Sequence, residues 1–458
     1  MMNFLKNQLN NQQNKIKRLA ALIDGEHYPQ VNLDAIKILK ERFSGSFAGI
    51  IFLGGTEKLV INNLESYFSD KVFSIKNIDI DFMKALDFFK PDLVYDLSDE
   101  PVVNYIIRMK IASFCIARNC AYMGPDFLFE PEEKNLTLNK TSIAIIGTGK
   151  RIGKTAVSSY IATLFSERNI DVCIIAMGRG GPANPQIIKG GETEVTPEYL
   201  LNISRSGLHA SSDYIEDALF SRVTTIGCRR CGGGFGGKFF MSNISDGVKI
   251  VNKLNKDLII IEGSGASIPP VKTDFTICVL GADQQWDSIV GYLGIYRIML
   301  ADLVFLTMCE EPLADEQKIK FLENEIKKFN PKAAIIRSIF RPEPVLDITG
   351  KRIFMIMTAK NLIEDKIKKY MENKFNCKIV KISFNLANRQ ELKEELAEKL
   401  DYGTILTELK AASVDLVTEF AFKNNKQICY MNNIPLILEG KENLEKLINN
   451  VRKKINAK

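Results

Sequence analysis

The sequence predicts an α/β fold built on parallel sheets. Short apolar runs rich in β-branched residues alternate with amphipathic helical stretches along most of the chain. Near the middle, a glycine-rich turn joins one such run directly to a helical stretch. Because parallel strands need a crossover connection, usually a helix, this alternation is typical of sheets with helices packed on their faces.

Ten strands and five helices follow from this pattern. The strands are predicted at residues 19–23, 47–53, 93–95, 142–146, 172–177, 258–261, 275–280, 303–306, 334–337 and 352–358. The helices are predicted at residues 31–43, 101–119, 154–167, 316–328 and 389–400. Each strand is an apolar run of the length that strands favour, and each helix repeats its apolar residues at helical spacing.

The length of 458 residues allows about three domains at roughly 150 residues each. A charged stretch that contains proline, at residues 130–134, has the composition of a linker, and similar stretches at 310–312 and 340–344 could each end the central part. We therefore predict a Rossmann-like N-terminal domain at 1–135, a central catalytic domain at 136–345 and a C-terminal α/β part at 346–458 that completes or caps the central domain.

Composition excludes several classes of protein. Hydrophobic residues make up 46% and charged residues 25%, which excludes a disordered, collagen-like or disulfide-stapled chain. The cysteine count is odd and most cysteines lie in apolar runs, which indicates reduced thiols in the cytoplasm. We find neither an apolar run that could span a membrane nor a signal peptide. The net charge of +6 is too weak to predict nucleic acid as a partner but suits phosphorylated substrates.

The most specific motif is a glycine-rich loop between a strand and a helix. An apolar run leads into glycines and then into Gly-Lys-Thr at the start of the helix, which is the context of a P-loop and predicts a P-loop NTPase-like central domain. We expect Lys154 to contact the β and γ phosphates of ATP and the Thr155 hydroxyl to bind Mg²⁺. A glycine-rich turn without a ligand is the alternative. The predicted nucleotide-binding residues are Gly147, Thr148, Gly149, Lys150, Arg151, Ile152, Gly153, Lys154 and Thr155.

The loop departs from the standard spacing. Thr148 occupies the place of the first glycine and has a glycine on either side, so the register is shifted or the loop is unusual. Lys150 and Arg151 add two cations, which indicates more negative charge nearby than one triphosphate supplies. We therefore predict Lys150, Arg151 and Lys154 as catalytic residues.

A P-loop needs an acidic residue after a neighbouring strand, and the best candidate is Glu262. It follows the apolar run 258–261 and precedes Gly263-Ser264-Gly265. The carboxyl end of a parallel strand is where α/β proteins place ligands, so we predict Glu262 as a catalytic residue and, with Thr155, as a metal ligand. A solvent-facing glutamate is the alternative.

Further cations predict a second anion site. Arg179 follows the strand at 172–177 in a glycine-rich turn, where an arginine fork suits phosphate oxygens. Residues 227–238 hold Arg229, Arg230 and Lys238 among many glycines, which predicts a mobile cationic lid over substrate phosphates. A plain solvated loop is the alternative for both segments.

These segments contain two further features. Cys228 and Cys231 leave a zinc site or a redox pair open, although no second ligand pair accompanies them. Arg205, His209 and Lys272 are predicted to bind substrate as well, with a surface or core role as the alternative for His209.

Residues 147–155, 262–265, 228–238 and 24–29, together with the overall length, resemble the cyclic 2,3-diphosphoglycerate synthetase family over essentially the whole chain. The central part also resembles dethiobiotin synthetase, which implies that Glu262 helps to bind metal. The stretch that begins at Asn432-Asn433 resembles one near the adenine in that enzyme, with an ordinary turn into a strand as the alternative.

The family resemblance implies an ATP-dependent ligase that closes 2,3-diphosphoglycerate into a ring through an intramolecular phosphoanhydride and releases ADP and phosphate. It implies Mg²⁺, a cytoplasmic and potassium-rich setting that makes K⁺ a further candidate cofactor, and a homodimer. The small-molecule substrate carries about five negative charges, which fits the cations around the loop.

Three alternative functions remain open. A 2-phosphoglycerate kinase would stop at 2,3-diphosphoglycerate and would need a base such as Asp213 or Asp283. A P-loop regulatory nucleotide switch would need a protein partner, and the guanine-reading Asn-Lys-x-Asp motif is missing from the sequence. An amide-forming ligase would leave most of the length outside the central domain unexplained.

Overall fold

A computed structural model describes residues 17–43, 45–55, 58, 63–359 and 361–457. The chain forms two compact units. The first unit runs to Glu133 and also contains residues 285–300 and 326–331. The second unit contains residues 134–284, 301–325 and the chain from Lys332 onward. The predicted division into three domains at 135 and 345 stays a prediction.

The first unit contains a sheet of six strands in the order β3-β2-β1-β4-β5-β6. The strands are β1 Arg18–Ile23, β2 Ser46–Phe52, β3 Val72–Ser74, β4 Leu93–Asp96, β5 Ala121–Met123 and β6 Leu128–Phe129. The helices among them are α1 Pro29–Arg42, α2 Leu64–Phe68, α3 Ile78–Phe89 and α4 Tyr105–Ala117. The first five strands are parallel, and their order reverses beside β1, as in doubly wound Rossmann-like sheets.

A half-buried carboxylate stabilises this unit. Asp79, in the first turn of α3, accepts from Lys110 Nζ at 2.8 Å and lies 2.5 Å from Lys328 Nζ. Burial alone would raise the pKa of Asp79, but hydrogen bonds from the two lysines outweigh it and hold the pKa below its usual value. Both lysines approach the ring of Phe329, on which Trp286 stacks at 6.1 Å. Trp286 is the chain's single tryptophan, so its fluorescence reports unfolding of this unit.

We expect Asp79→Asn to lower the free energy of unfolding by about 2 kcal/mol at pH 7, because it removes the negative charge that two ammonium groups share. Since folding lowers the pKa of Asp79, its contribution is present above the unfolded value of 3.8 and is lost as the pH falls through the folded value. Urea unfolding followed by Trp286 fluorescence between pH 7 and pH 3 measures this difference. Asp34→Asn is the control, because the exposed Asp34 lies 3.7 Å from Lys37. A loss that stays constant over this pH range would contradict the prediction.

The second unit is organised around a sheet of thirteen strands. Its strands are β8 Thr141–Gly147, β9 Val172–Gly178, β10 Gln186–Ile188, β11 Thr224–Cys231, β12 Met241–Ser242, β13 Leu258–Gly263, β15 Phe275–Gly281, β16 Leu303–Thr307, β17 Ala334–Pro344, β18 Arg352–Ile356, β19 Lys378–Ser383, β20 Thr404–Glu408 and β21 Gln427–Glu439. The order is β10-β11-β9-β13-β8-β15-β16-β17-β21-β20-β18-β19, with β12 paired to β11. A separate two-stranded ribbon joins β7 Leu136–Thr137 to β14 Val271–Lys272.

The helices after residue 134 complete both units. They are α5 Lys154–Ser166, α6 Pro197–Arg205, α7 Asp213–Ser221, α8 Ile244–Val251, α9 Trp286–Gly291, α10 Gly294–Met299, α11 Glu316–Phe329, α12 Glu364–Phe375, α13 Arg389–Leu396, α14 Glu419–Lys423 and α15 Lys441–Asn456. In the second unit, α5 and α15 contribute apolar side chains to one core with the central strands of the sheet. None of the helices in the described part of the chain is long and apolar enough to cross a bilayer.

The long antiparallel pair β17 and β21 connects two parallel parts of this sheet. Residues 334–337 of β17 pair with β16, whereas residues 337–344 pair with β21. β20 runs parallel to β21 and ends at Glu408, opposite Met431. The parallel strands on the β16 side of β17 therefore point their carboxyl ends toward the carboxyl ends of the parallel strands on the β20 side of β21. At about 3.3 Å per residue, the segment 338–344 separates the two edges by roughly 20 Å.

The α/β fold with parallel sheets is confirmed, and strands lie at all ten predicted positions, within a few residues at most ends. One prediction is wrong: residues 227–231 are not part of a mobile loop. They belong to β11, which pairs with β9 in the sheet interior. Its run of threonine, isoleucine and cysteine favours a strand, and only the glycines after Cys231 continue as the predicted loop.

Candidate active site

A cavity of about 710 Å³ lies in the second unit, between the two facing carboxyl edges. Residues 150–156, 263–265, 283–284, Arg179, Asp213 and Glu216 line it from the β8–β16 side. Residues 357–359, 386–387, 410–412, 431–433 and Glu408 line it from the β18–β21 side. A crevice at the carboxyl ends of parallel strands is where α/β proteins bind ligands, and here two such edges contribute to one cavity.

The predicted phosphate loop forms one wall of this cavity. Lys154 begins α5 and is buried, and its Nζ donates to the carbonyl oxygen of Gly149 at 2.6 Å. Gly153, just before the helix, has a φ of +88°, and Arg151 has a φ of +62°. The left-handed conformation costs little at glycine but is unfavourable at arginine, and such strain is common at binding loops. Thr155 is half-buried and lines the cavity.

Two buried residues of the loop connect it to neighbouring parts of the sheet by hydrogen bonds. The buried Thr148 donates through its hydroxyl to Gln284 Oε1 at 2.6 Å, so it braces the loop against the turn after β15. Ile152 is also buried, and its carbonyl oxygen accepts from the Thr307 hydroxyl at 3.0 Å. The cavity wall begins at Lys150, and Gly147, Thr148 and Gly149 lie outside it. Their nucleotide-binding role stays a prediction.

Positive side chains crowd one side of the cavity. The positive charge of Arg179 lowers the pKa of the exposed Lys150, with smaller contributions from burial and from Arg151. Burial lowers the pKa of Arg230, and Arg179 lowers it further. Within the residues that the structure describes, no acidic side chain forms an ion pair with Lys150, Arg151 or Arg179. This repulsion would be relieved by a bound anion.

A cluster of four acidic residues lies beside the loop: Asp213, Glu216, Asp217 and Glu262. Burial raises the pKa of Glu262 well above its usual value; Asp217 and Asp213 raise it further, and Lys154 opposes the shift. Burial likewise raises the pKa of Asp217, although Ser159 Oγ on α5 donates to its Oδ1 at 2.8 Å. Glu262 Oε2 and Asp217 Oδ2 are buried and accept no hydrogen bond from the described residues. Buried carboxylate oxygens without donors are suited to a bound cation.

The opposite edge adds one lysine that reaches this cluster. Lys410 Nζ, after β20, donates to both carboxylate oxygens of Glu216 at 3.1 and 2.9 Å. Burial would lower the pKa of Lys410, but Glu216 and Glu408 outweigh it and raise that pKa. The side chain of Lys410 is 43% exposed because it borders the cavity.

The other predicted substrate residues do not line the cavity. Arg205 is exposed and lies 3.5 Å from Glu419, and Lys272 is exposed on β14. His209 is exposed next to Gly180, in the turn after β9. Arg229 and Lys238 are half-buried. For all five residues, substrate binding stays a prediction.

The guanidinium group of Arg230 donates hydrogen bonds to backbone carbonyl oxygens and is largely shielded from solvent. Its Nη1 donates to the Gly232 carbonyl oxygen at 2.7 Å and its Nη2 to the Ser264 carbonyl oxygen at 2.5 Å. It is 7% exposed and connects the glycine-rich segment to the turn after Glu262. Arg230 therefore positions the turn after Glu262.

Zinc or redox chemistry at Cys228 and Cys231 does not fit the structure. Both residues lie on β11 and are three apart, so their side chains point to opposite faces of the strand. Cys228 is buried and burial raises its pKa to about 12, whereas Cys231 is exposed. Within the described ranges, no three His, Cys, Asp or Glu side chains are arranged so that they could hold a metal by themselves, and this applies also to the four acids beside the loop.

Sequence reasoning missed Glu216 and Asp217 as site residues. The signal was present, because α7 reads Asp-Tyr-Ile-Glu-Asp-Ala-Leu-Phe-Ser and places its acids among apolar positions. A buried acid in a short apolar helix implies a partner. Lys410 and Glu408 carried no comparable signal, because they are brought to the cavity only by the reversed direction of β20.

Sequence comparison decides the family. Three family models match the chain: the cyclic 2,3-diphosphoglycerate synthetase N-terminal domain at residues 18–130, its P-loop domain at 142–339 and its C-terminal domain at 344–434. The protein of that name from Methanothermus fervidus is 45% identical over 92% of this chain and 94% of its own length. The chain belongs to the cyclic 2,3-diphosphoglycerate synthetase family.

Other members of this family are similarly related. The cyclic 2,3-diphosphoglycerate synthetase of Methanothermobacter thermautotrophicus is 42% identical over 92% of this chain and 93% of its own length. That of Rubrobacter xylanophilus is 41% identical over 92% and 95%. Among solved structures, the hydrogenase maturation factor HypB from Archaeoglobus fulgidus matches 44% of this chain and 80% of its own, at 14% identity and a TM-score of 0.22.

Proposed function

We propose that this protein uses ATP to close 2,3-diphosphoglycerate into cyclic 2,3-diphosphoglycerate, with release of ADP and phosphate, in the cavity of the second unit. The family relatives carry the name of this activity and match the chain along nearly its whole length. The phosphate loop in the cavity wall accounts for the use of ATP.

The observation that carries the proposal is the crowd of positive side chains formed by Lys150, Arg151 and Arg179. 2,3-Diphosphoglycerate brings about five negative charges, and ATP beside it adds strong repulsion. A site that binds only ATP would not need a second group of cations next to its phosphate loop. The positive charges of Arg179 and Arg151 act on Lys150 and lower its pKa, which is consistent with this excess of cations.

The reaction needs two displacements at phosphorus. An oxygen of one substrate phosphate attacks the γ-phosphorus of ATP, and the bond to the β-phosphate oxygen breaks to release ADP. An oxygen of the second substrate phosphate then attacks the phosphorus of the first, and inorganic phosphate leaves as the ring closes. The attacking oxygens are already ionised, so the chain supplies charge and alignment rather than a strong base. We propose that Lys154, at the start of α5, stabilises the first transferring group.

Thr155 and Glu262 are the residues that we propose to hold Mg²⁺, with Asp217 close by. Mg²⁺ usually takes one or two protein carboxylates together with phosphate oxygens and water, so a small ligand set suits it. The metal would neutralise charge on the transferring phosphoryl group. The buried, unpartnered Oε2 of Glu262 is the observation that supports this assignment.

The family resemblance also supports a finer description. We propose a homodimer that works in the cytoplasm, with K⁺ as an additional cofactor and no nucleic acid or membrane partner. Light scattering at micromolar concentration tests the oligomeric state, and assays in NaCl and KCl of equal strength test the cation.

The proposed reaction is tested by its product. Phosphorus NMR of protein incubated with ATP, Mg²⁺ and 2,3-diphosphoglycerate should show a pair of coupled anhydride resonances and one phosphate released per ADP. A kinase would instead convert 2-phosphoglycerate to linear 2,3-diphosphoglycerate. A rate of ATP hydrolysis that does not depend on 2,3-diphosphoglycerate would favour the nucleotide switch and reject the proposal.

We expect Arg179→Ala to raise the KM for 2,3-diphosphoglycerate by about ten- to a hundredfold, because a charge-assisted hydrogen bond to phosphate is worth roughly 1.5–3 kcal/mol. The KM for ATP should change by less than about threefold. Steady-state kinetics with each substrate varied in turn measures both values. Arg118→Ala, which removes an exposed partner of Asp87 in the first unit, is the control. An equal rise in both KM values would assign Arg179 to the nucleotide.

A further inference from the structure

The part of the cavity on the β18–β21 side differs in chemistry from the phosphate end. Its wall includes Met357, Ile363, Ile367, Leu386 and Met431. Flat aromatic ligands favour apolar walls with a few polar groups at their edge. If the phosphates of ATP lie at the loop, as the proposed function requires, this apolar half is the place for the purine base.

The polar edge of this half is organised by one buried carboxylate, Glu408. Its Oε2 accepts from the backbone N–H of Thr358 at 3.0 Å and from the Thr358 hydroxyl at 2.6 Å. Its Oε1 accepts from Asn433 Nδ2 at 2.7 Å. Glu408 is 5% exposed, so these three donors fix its position. Glu408, Thr358 and Asn433 all border the cavity.

This network determines which end of the Asn433 amide a ligand can meet. A carboxylate only accepts hydrogen bonds, so Asn433 must turn its NH₂ group toward Glu408. The carbonyl oxygen Oδ1 is then the amide atom left for a ligand. An accepting oxygen at the edge of a purine pocket pairs with the amino group at position 6 of adenine. It opposes the carbonyl oxygen that hypoxanthine and guanine carry at that position.

We propose that Glu408 is a positioning residue that sets the base selectivity of the ATP site by holding the Asn433 amide with its carbonyl oxygen toward the base. The inference rests on the proposed function only in taking ATP as the occupant of the cavity. It assigns to Glu408 no contact with the reacting phosphates.

The same geometry predicts what Glu408→Gln does. The backbone N–H of Thr358 can only donate, so the glutamine must keep its oxygen on that side. Its NH₂ group then faces Asn433, and the Asn433 amide must rotate to accept. The NH₂ group of Asn433 now faces the base, where it suits a carbonyl oxygen at position 6 and not an amino group.

The test compares ATP with ITP, whose base differs from adenine at positions 6 and 1 and has no additional amino group. In the wild type we expect kcat/KM to favour ATP by at least about tenfold, because the wrong base leaves buried polar groups unpaired. Glu408→Gln should reduce this ratio at least tenfold, with much of the change from better use of ITP. Titration calorimetry with ADP and IDP should show the same shift without turnover.

Glu372→Gln is the matched control, because Glu372 also accepts a backbone N–H, that of Ile379 at 3.0 Å, but lies outside the cavity wall. Its ATP to ITP ratio should equal that of the wild type. If Glu408→Gln does not fold, Asn433→Ala gives a second test, since loss of the amide should bring the ratio close to one. An unchanged ratio in the folded variant, or a wild type that uses both nucleotides equally, would overturn the proposal. If no cyclic product forms but the protein still binds ADP more tightly than IDP, the proposed function is rejected and the role of Glu408 is not.

Discussion

Lys154→Ala should reduce the rate of ADP formation from ATP and 2,3-diphosphoglycerate by about a hundred- to a thousandfold. The variant loses a preorganised positive charge at the group whose negative charge is transferred, and such losses amount to roughly 3–4 kcal/mol. In the structure, Lys154 Nζ donates to the Gly149 carbonyl oxygen of its own loop. We expect phosphate oxygens to take the place of this carbonyl when nucleotide binds.

The measurement is a single-turnover assay at saturating ATP, with ADP affinity determined separately by calorimetry. Lys253→Ala, at an exposed position outside the cavity, is the matched control and should turn over as the wild type does. Both variants should unfold cooperatively, because Lys154 contributes no apolar core. Near-normal turnover in Lys154→Ala would reject the phosphate loop as the ATP site.

The parts of the fold that could be predicted from sequence are those with local causes. Strands such as 172–177 and 275–280 are short apolar runs between polar turns, and the structure has strands there with one residue added. The phosphate loop could be located because glycines, lysine and threonine occur in one short segment that joins a strand to a helix. Local spacing of this kind does not depend on the rest of the chain.

The β18–β21 side of the cavity could not be predicted, because it depends on strand direction. Only the antiparallel pairing of β17 with β21 turns the carboxyl end of β20 toward the phosphate loop. That pairing joins distant parts of the chain and leaves no local pattern. The contact between Lys410 and Glu216 depends on this long-range pairing, so no short stretch of sequence could predict it.

The segment at 224–231 shows a related difficulty. Its strand is broken in sequence by Gly227 and by two arginines, so composition favoured a loop. The structure places this strand beside β9, and the glycine is required there because the ring of Tyr214 occupies the space of a side chain. Tertiary packing overrides the local preference at this position.

Glu262→Gln should change activity and stability in opposite directions. Activity should fall by about a hundred- to a thousandfold, because the variant loses the negative charge that we propose to hold Mg²⁺. The free energy of unfolding without ligands should rise by about 1–2 kcal/mol. Glu262 is 2% exposed with an unpartnered oxygen, and burial raises its pKa, so its charge destabilises the folded state at neutral pH.

Urea unfolding and turnover of the same protein samples measure the two effects. Glu310→Gln is the matched control for stability, because the Glu310 carboxylate, unlike that of Glu262, receives two hydrogen bonds from Arg341, at 2.6 and 2.7 Å. Removing this paired charge should lower the free energy of unfolding, whereas removing the unpaired charge of Glu262 should raise it. If both variants lose stability, Glu262 is held by a partner and its carboxylate is not kept free for a metal. If Glu262→Gln gains stability and keeps full activity, the buried charge has another purpose and the proposed Mg²⁺ site is wrong.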